Sequence, residues 1–243
     1  MTRVLVNGAR GRMGTLACAA IAASGDLELV GRCGRGDDLA EAIRSSGAEV
    51  VVDFTRPEVV RRSALAIVDA GARPVIGTSG LDATARALLV QRCAERRLGG
   101  IIAPNFAIGA ILMIRFAETA ARHLSGVEIV ESHHAAKVDA PSGTAIATAD
   151  AIARARGQDP AGDGSGGSRS AARGDHSHGV PIHSVRLEGV VAEQTVTFGA
   201  AGQKLVLEHV TYSREAYMPG VLLACRRVVT LDRLAIGLES LLF

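Results

Sequence analysis

Between Glu131 and Ala145 the chain reads ESHHAAKVDAPSGTA, which crowds two histidines, a lysine, an aspartate and a Pro-Ser-Gly-Thr turn into one short span. Histidine exchanges a proton near neutral pH, and a lysine beside it adds a cation or a second proton. One of the two histidines, with Lys137, is therefore a candidate for proton transfer. Lys137 and Lys204 are the only lysines in a chain otherwise rich in arginine, so position 137 stands against a strong bias. A compact ammonium with a tunable pKa answers such a need where a guanidinium does not. Pro141-Ser142-Gly143-Thr144 then opens the alanine-rich run AIATADAIARA. Amides at the start of a helix receive carboxylate or phosphate. Together these residues describe a pocket for a small anion with a proton donor at its rim.

The elements that must hold this stretch are legible on both sides of it. A helix from about Ile108 to Leu124 and a strand over Val127 to Glu131 deliver the chain to the histidines, and a helix starting near Ser142 carries it away. Upstream, strand-like runs at Arg3 to Asn7, Leu27 to Arg32, Val50 to Phe54, Pro74 to Gly77 and Ile101 to Ala103 alternate with helical runs. That alternation predicts a parallel sheet with right-handed crossovers whose ligands lie beyond the C-terminal strand ends. The first turn, Gly8-Ala9-Arg10-Gly11-Arg12-Met13-Gly14, lies between a strand and the helix former LACAAIAA. In that setting closely spaced glycines let a backbone approach a pyrophosphate. The spacing is G-x-x-G-x-x-G rather than the commoner G-x-G-x-x-G.

Coenzyme choice should be read at the end of the second strand, where an acid would bond ribose hydroxyls and an arginine would accept a 2′-phosphate. Gly31-Arg32-Cys33-Gly34-Arg35-Gly36 stands there, with acids only at Asp37 and Asp38, so NADPH is expected to be accepted. Two later turns, Gly77-Thr78-Ser79-Gly80 and Ala103-Pro104-Asn105-Phe106, also fall at strand ends and are small or polar enough for a cofactor to approach.

Beyond the central stretch, Gly157 to Gly179 is rich in Gly, Ser, Asp and Arg and reads as a flexible surface loop. His176 and His178 within it are too few to imply a metal. Strand-like segments at Ile182 to Leu187, Ala192 to Phe198 and Lys204 to Thr211 predict an antiparallel meander. An apolar face on such a sheet would pack against another copy of the chain. A last helix, about Tyr217 to Val229, and the apolar tail Leu241-Leu242-Phe243 are placed to return to the first domain.

Composition narrows the classes. The chain has 243 residues, 48% of them hydrophobic, which is ample for a core. Its 27 basic and 25 acidic side chains are interspersed, and it has no tryptophan, so neither nucleic acid nor a membrane surface is the expected partner. Cys18, Cys33, Cys93 and Cys225 show no pairing or metal spacing and read as core thiols in a reducing cytoplasm.

These motifs resemble 4-hydroxy-tetrahydrodipicolinate reductase. GARGRMG at Gly8 to Gly14, Asp53-Phe54-Thr55 with Pro57, Gly77 to Gly80, Ala103 to Phe106 and above all HHAAKVDAPSGTA at His133 to Ala145 carry the likeness, which runs from end to end. The resemblance implies an α/β chain: a Rossmann-type parallel-sheet domain from 1–105 and 217–243, and an α+β domain with a mixed sheet, 106–216, for substrate binding and tetramer formation. It implies NADH- or NADPH-dependent reduction of a cyclic hydroxy-diacid, with loss of water, in the diaminopimelate route to lysine. By that similarity His133 is the acid/base residue and Lys137 a second proton donor. His134, Ser142, Gly143 and Thr144 would bind substrate. Gly8 to Met13, Arg35, Gly77 to Ser79 and Ala103 to Phe106 would surround the cofactor. On the residues alone, a non-catalytic nicotinamide sensor and another dehydrogenase of a small dicarboxylate are the alternatives.

Overall fold

The computed structural model describes residues 1–157 and 173–243. The chain divides into two units, Met1–Ile108 together with Arg214–Phe243, and Gly109–Ser213.

In the first unit, β1 (Thr2–Asn7), β2 (Leu27–Cys33), β3 (Val50–Asp53), β4 (Arg73–Ile76), β5 (Gly100–Ile102) and β11 (Leu234–Ile236) form one sheet. Its order is β11-β5-β4-β3-β1-β2, and every neighbouring pair is parallel. Strands of such a sheet are covered on both faces, which is why Val50 to Val52 and Val4 to Val6 are continuous apolar runs without solvent exposure. Between the strands run α1 (Arg12–Ala22), α2 (Leu39–Ser46), α3 (Pro57–Asp69) and α4 (Ala83–Arg96). Local chemistry fixes their ends. Asp38 and Asp82 accept hydrogen bonds from the amides of Glu41 and Ala85, and Pro57 occupies the first turn of α3, where its missing N–H is harmless. The final helix predicted from the sequence is α7 (Met218–Arg227), and the residues after it supply β11 and α8 (Glu239–Leu242).

In the second unit, α5 (Ile108–Ala121) leads to β6 (Gly126–His133), and α6 (Gly143–Ala155) follows. β7 (Asp175–Ser177), β8 (Val180–Arg186), β9 (Ala192–Ala200) and β10 (Gln203–Thr211) complete a sheet of order β10-β9-β6-β8-β7. Met113 and Ala117 of α5 and Ala149 and Ile152 of α6 pack on Ile129, Ile182, Val196 and Phe198 of the sheet. Apolar residues on the other side, among them Val130, Val185 and Val206, remain exposed.

Three expectations need correction. The meander holds only for β9 and β10; β8 does not pair with β9, because β6 lies between them, antiparallel to β9 and parallel to β8. The loop expected over Gly157 to Gly179 contains β7, antiparallel to β8, while its residues 158–172 lie outside the described part of the chain. Finally, β6 runs two residues past Glu131, so His133 stands on a strand and not in the turn beyond it. Among the described residues no helix is long and apolar enough to cross a membrane.

Candidate active site

Strand geometry builds the first half of the site. Side chains alternate across a sheet, so Glu131 and His133 fall on one face of β6. Glu131 is fully buried, and its Oε2 lies 2.5 Å from His133 Nδ1. The parallel register with β8 sets Arg186 beside His133, and its guanidinium spans the carboxylate: Nη1 donates to Oε2 at 3.0 Å and Nη2 to Oε1 at 2.9 Å. A fourth donor is the Ser142 amide, 3.2 Å from Oε1. This pairing holds Glu131 below the ordinary carboxylate range although burial pushes the other way. His133 is shifted down, chiefly by burial and further by the cations Lys137 and Arg186, while Glu131 pulls it up.

The second half is the turn from Lys137 to Thr144. Lys137 Nζ donates to both oxygens of Asp139, at 2.7 and 2.6 Å, and this contact lowers the Asp139 pKa. Arg186 Nη2 also donates to the Asp139 carbonyl at 2.6 Å, which ties the turn back to β8. Ser142, expected to bind substrate, is buried in this structure and caps α6. Its hydroxyl accepts the Ala145 amide at 3.2 Å and its own amide donates to Glu131. Gly143 is exposed at the first position of α6, and His134 and Thr144 are partly exposed.

Glu131 and Arg186 were not singled out in the sequence. Only the two-residue spacing of Glu131 and His133 was visible there, and it carries meaning once the strand is known to include both. Arg186 is remote in sequence and is brought in by a strand whose partner was misassigned.

The first unit has a separate concavity of about 690 Å³, lined by Gly8, Arg10, Gly11, Gly34, Arg35, Gly36, Phe54, Thr55, Arg56 and Arg62 among others. It lies at the C-terminal ends of β1, β2 and β3, where an open parallel sheet takes its ligand. Gly8 has φ +84°, and its amide and that of Ala9 both donate to the Cys33 carbonyl at 2.9 Å. A Cβ on Gly14 would stand 2.1 Å from the Gly8 oxygen, so only glycine lets α1 start so close under the turn. The turn and its four surrounding arginines fit a dinucleotide: backbone at the helix start for the pyrophosphate, cations for phosphate charge. Asp37 is engaged by the Gly34 amide at 2.8 Å, and Asp38 caps α2.

Of the expected cofactor residues, Gly8, Arg10, Gly11 and Arg35 line this concavity. Ala9, Arg12 and Met13 do not line it; Ala9 is buried, Met13 partly exposed and Arg12 exposed. Gly77, Thr78 and Ser79 follow β4, and Ala103, Pro104, Asn105 and Phe106 follow β5. They join the same end of the sheet through Phe54, whose ring stands edge-on to that of Phe106 at 5.8 Å, with Gly77 against both. Asp53 ties the strand ends together. Its buried carboxylate accepts Asn7 Nδ2 at 2.9 Å and the hydroxyls of Thr55 and Thr78 at 2.7 Å each.

All four cysteines are buried and free. Burial pushes Cys93 up to about 11 and Cys225 up to about 12, and raises Cys18 and Cys33, so none is poised as a thiolate nucleophile. Among the described residues no group of three metal-ligating side chains comes together, and His178 pairs instead with Asp150 at 2.6 Å.

Comparison with known proteins covers nearly the whole chain. Residues 2–106 match the family model described as dihydrodipicolinate reductase, N-terminus, and residues 109–242 match its C-terminus. The 4-hydroxy-tetrahydrodipicolinate reductase of Coxiella burnetii (strain RSA 493 / Nine Mile phase I) is 47% identical over 242 residues, covering 98% of each chain. That of Legionella pneumophila (strain Corby) is 46% identical over 245 residues, covering 99% of each. The solved structure of dipicolinate-bound dihydrodipicolinate reductase from Paenisporosarcina sp. TG-14 superposes with a TM-score of 0.87 at 35% identity over 99% of both chains. An amine dehydrogenase from Mycobacterium smegmatis, 12% identical with a TM-score of 0.68 over 98% of this chain and 95% of its own, shares the fold alone. The chain belongs to the 4-hydroxy-tetrahydrodipicolinate reductase family, NADH- or NADPH-dependent oxidoreductases of lysine biosynthesis.

Proposed function

We propose that the second unit holds the cyclic hydroxy-diacid at the start of α6 and protonates it from His133, while the first unit binds the dinucleotide. The overall change consumes the substrate, one NAD(P)H and one proton, and yields tetrahydrodipicolinate, NAD(P)+ and water. When bound, the coenzyme supplies the hydride. The protein's part is to place charge and a proton. His133 Nδ1 faces Glu131, so Nε2 is the atom that carries the proton to the substrate. Lys137 Nζ supplies positive charge and a second proton, and Asp139 holds it in place. Gly143, Thr144 and His134 receive the carboxylates, with the helix start of α6 behind them.

The observation that carries this reading is the His133–Glu131 contact at 2.5 Å, with Lys137 and the start of α6 in the same turn. Oxidation of NADPH and NADH by the purified protein with freshly generated hydroxy-tetrahydrodipicolinate is the test. Coenzyme-dependent turnover is expected, and no oxidation with either coenzyme would overturn the reading. Arg35 and Arg10 at the concavity, with Asp37 and Asp38 engaged locally, support use of NADPH at least as readily as NADH.

The exposed apolar side of the second sheet supports self-association as a homotetramer through that face. A biosynthetic enzyme with four free thiols belongs in the cytoplasm.

A further inference from the structure

A carboxylate buried as completely as Glu131 needs a reason, because an acid on an apolar face of a sheet is unfavourable unless it is fully paired. Its four donors satisfy it, and one of them is the imidazole assigned to proton transfer. The other three come from two separate places, β8 and the start of α6, so the carboxylate is held from several directions and cannot swing away from the ring.

We propose that Glu131, clamped by Arg186, is a positioning residue for His133: it accepts a hydrogen bond from Nδ1–H, fixes the ring plane and leaves Nε2 as the only nitrogen for the reacting molecule. This deepens, and rests on, the assignment of His133 as the proton-transfer group. Glu131 does not touch the substrate. It acts by selecting one tautomer and by stabilising the imidazolium from behind.

The charged groups around the ring are few. Glu131 lies on the same strand, Arg186 comes from β8, and Lys137 with Asp139 comes from the turn before α6; β9 sets only Ala192 opposite His133. The two cations and burial disfavour the imidazolium, and Glu131 is the group that opposes them by direct contact. Removing its charge while keeping its shape therefore moves the proton affinity of His133 in a known direction, downwards.

The test is the pH dependence of kcat/KM for Glu131→Gln against the wild-type enzyme, with His133→Gln as reference. The pKa of the catalytic acid is expected to fall by at least about one unit, so the variant loses about tenfold or more above that pKa and recovers in part at lower pH, while KM for NADPH is unchanged. A uniform loss at every pH with an unmoved pKa would mean a merely structural acid and would overturn the proposal. If His133→Gln turned over at the wild-type rate, the assignment of His133 itself would fail; an inactive His133→Gln beside an unshifted Glu131→Gln sinks only the role of Glu131. Should Glu131→Gln not fold, 15N-histidine NMR of the wild-type enzyme decides. Neutral His133 carrying its proton on Nδ1 supports the proposal, and the Nε2–H tautomer overturns it.

Discussion

Glu131 Oε2 and His133 Nδ1 meet at 2.5 Å across one face of β6, so the ring proposed to transfer the proton is oriented by its own strand two positions upstream. Replacing the ring removes the proposed proton carrier and changes no residue of the first unit. His133→Gln should therefore lower kcat by about 10²–10⁴-fold, while NADPH affinity, measured by quenching or enhancement of coenzyme fluorescence, stays at the wild-type value.

Lys137 is held by Asp139 through both carboxylate oxygens. Lys137→Ala should reduce turnover by about 10²-fold or more and raise KM for the diacid, again without loss of NADPH binding. Asp139→Asn should matter far less to stability, since that side chain is 63% exposed. An exposed ion pair contributes about 0–1 kcal/mol, and thermal unfolding of the two variants separates the effects.

Asp53 gathers donors from three strand ends and is fully buried. Asp53→Ala leaves the Asn7 amide and the Thr55 hydroxyl without this acceptor and the Thr78 hydroxyl with only the backbone carbonyl of residue 53, at 3.2 Å. The expected destabilisation is about 2–5 kcal/mol, read from urea unfolding, with a matching loss of order in the Thr55 and Thr78 turns. An unchanged midpoint would show that these groups find other partners.

The close approach of Gly14 to the Gly8 carbonyl makes a sharp prediction for the nucleotide turn. In Gly14→Ala the added methyl must push that carbonyl aside, which distorts the amides offered to the pyrophosphate. The Kd for NADPH should rise by about tenfold or more, equivalent to about 1.4 kcal/mol, and calorimetric titration measures it directly.

Stability should fall as the medium becomes acidic. His133 and His209 both have folded-state pKa values lowered by burial from the ordinary 6.5. The unfolded chain therefore binds their protons first, so their contribution is complete above 6.5 and is lost as pH falls from there through the folded values. Glu131, lowered from 4.5 and paired with Arg186, extends the same slope to more acidic pH. Calorimetric Tm values should be level above neutrality and decline steadily below about pH 6.5, and His209→Gln should flatten the first part of that decline.

Much of this was readable before the structure. The strand, glycine turn and helix at Gly8 to Gly14 announced themselves because local backbone requirements dictate residue type. The turn from Lys137 to Thr144 did so because its chemistry is contiguous. What was not readable depends on pairing over distance. Strand partners near in sequence are the natural guess, so β8 was placed beside β9, and nothing local reveals that β6 lies between them. With β8 misplaced, Arg186 had no reason to be linked with Glu131. The two-residue extension of β6 had the same root: Ser132 and His133 carry little strand propensity, and their place in the ladder is set by Val185 and Arg186 on one side and Glu193 and Ala192 on the other.

The return of the chain from the second unit to set β11 against β5 has a consequence for biosynthesis. On the ribosome the first five strands emerge early, yet the sixth is translated only after the whole of Gly109–Ser213. Until then the nascent sheet carries a bare, apolar β5 edge, which invites pairing with the wrong chain. The second unit is translated as one uninterrupted block and is free to fold first, so the nucleotide-binding half, although begun first, is the one completed last.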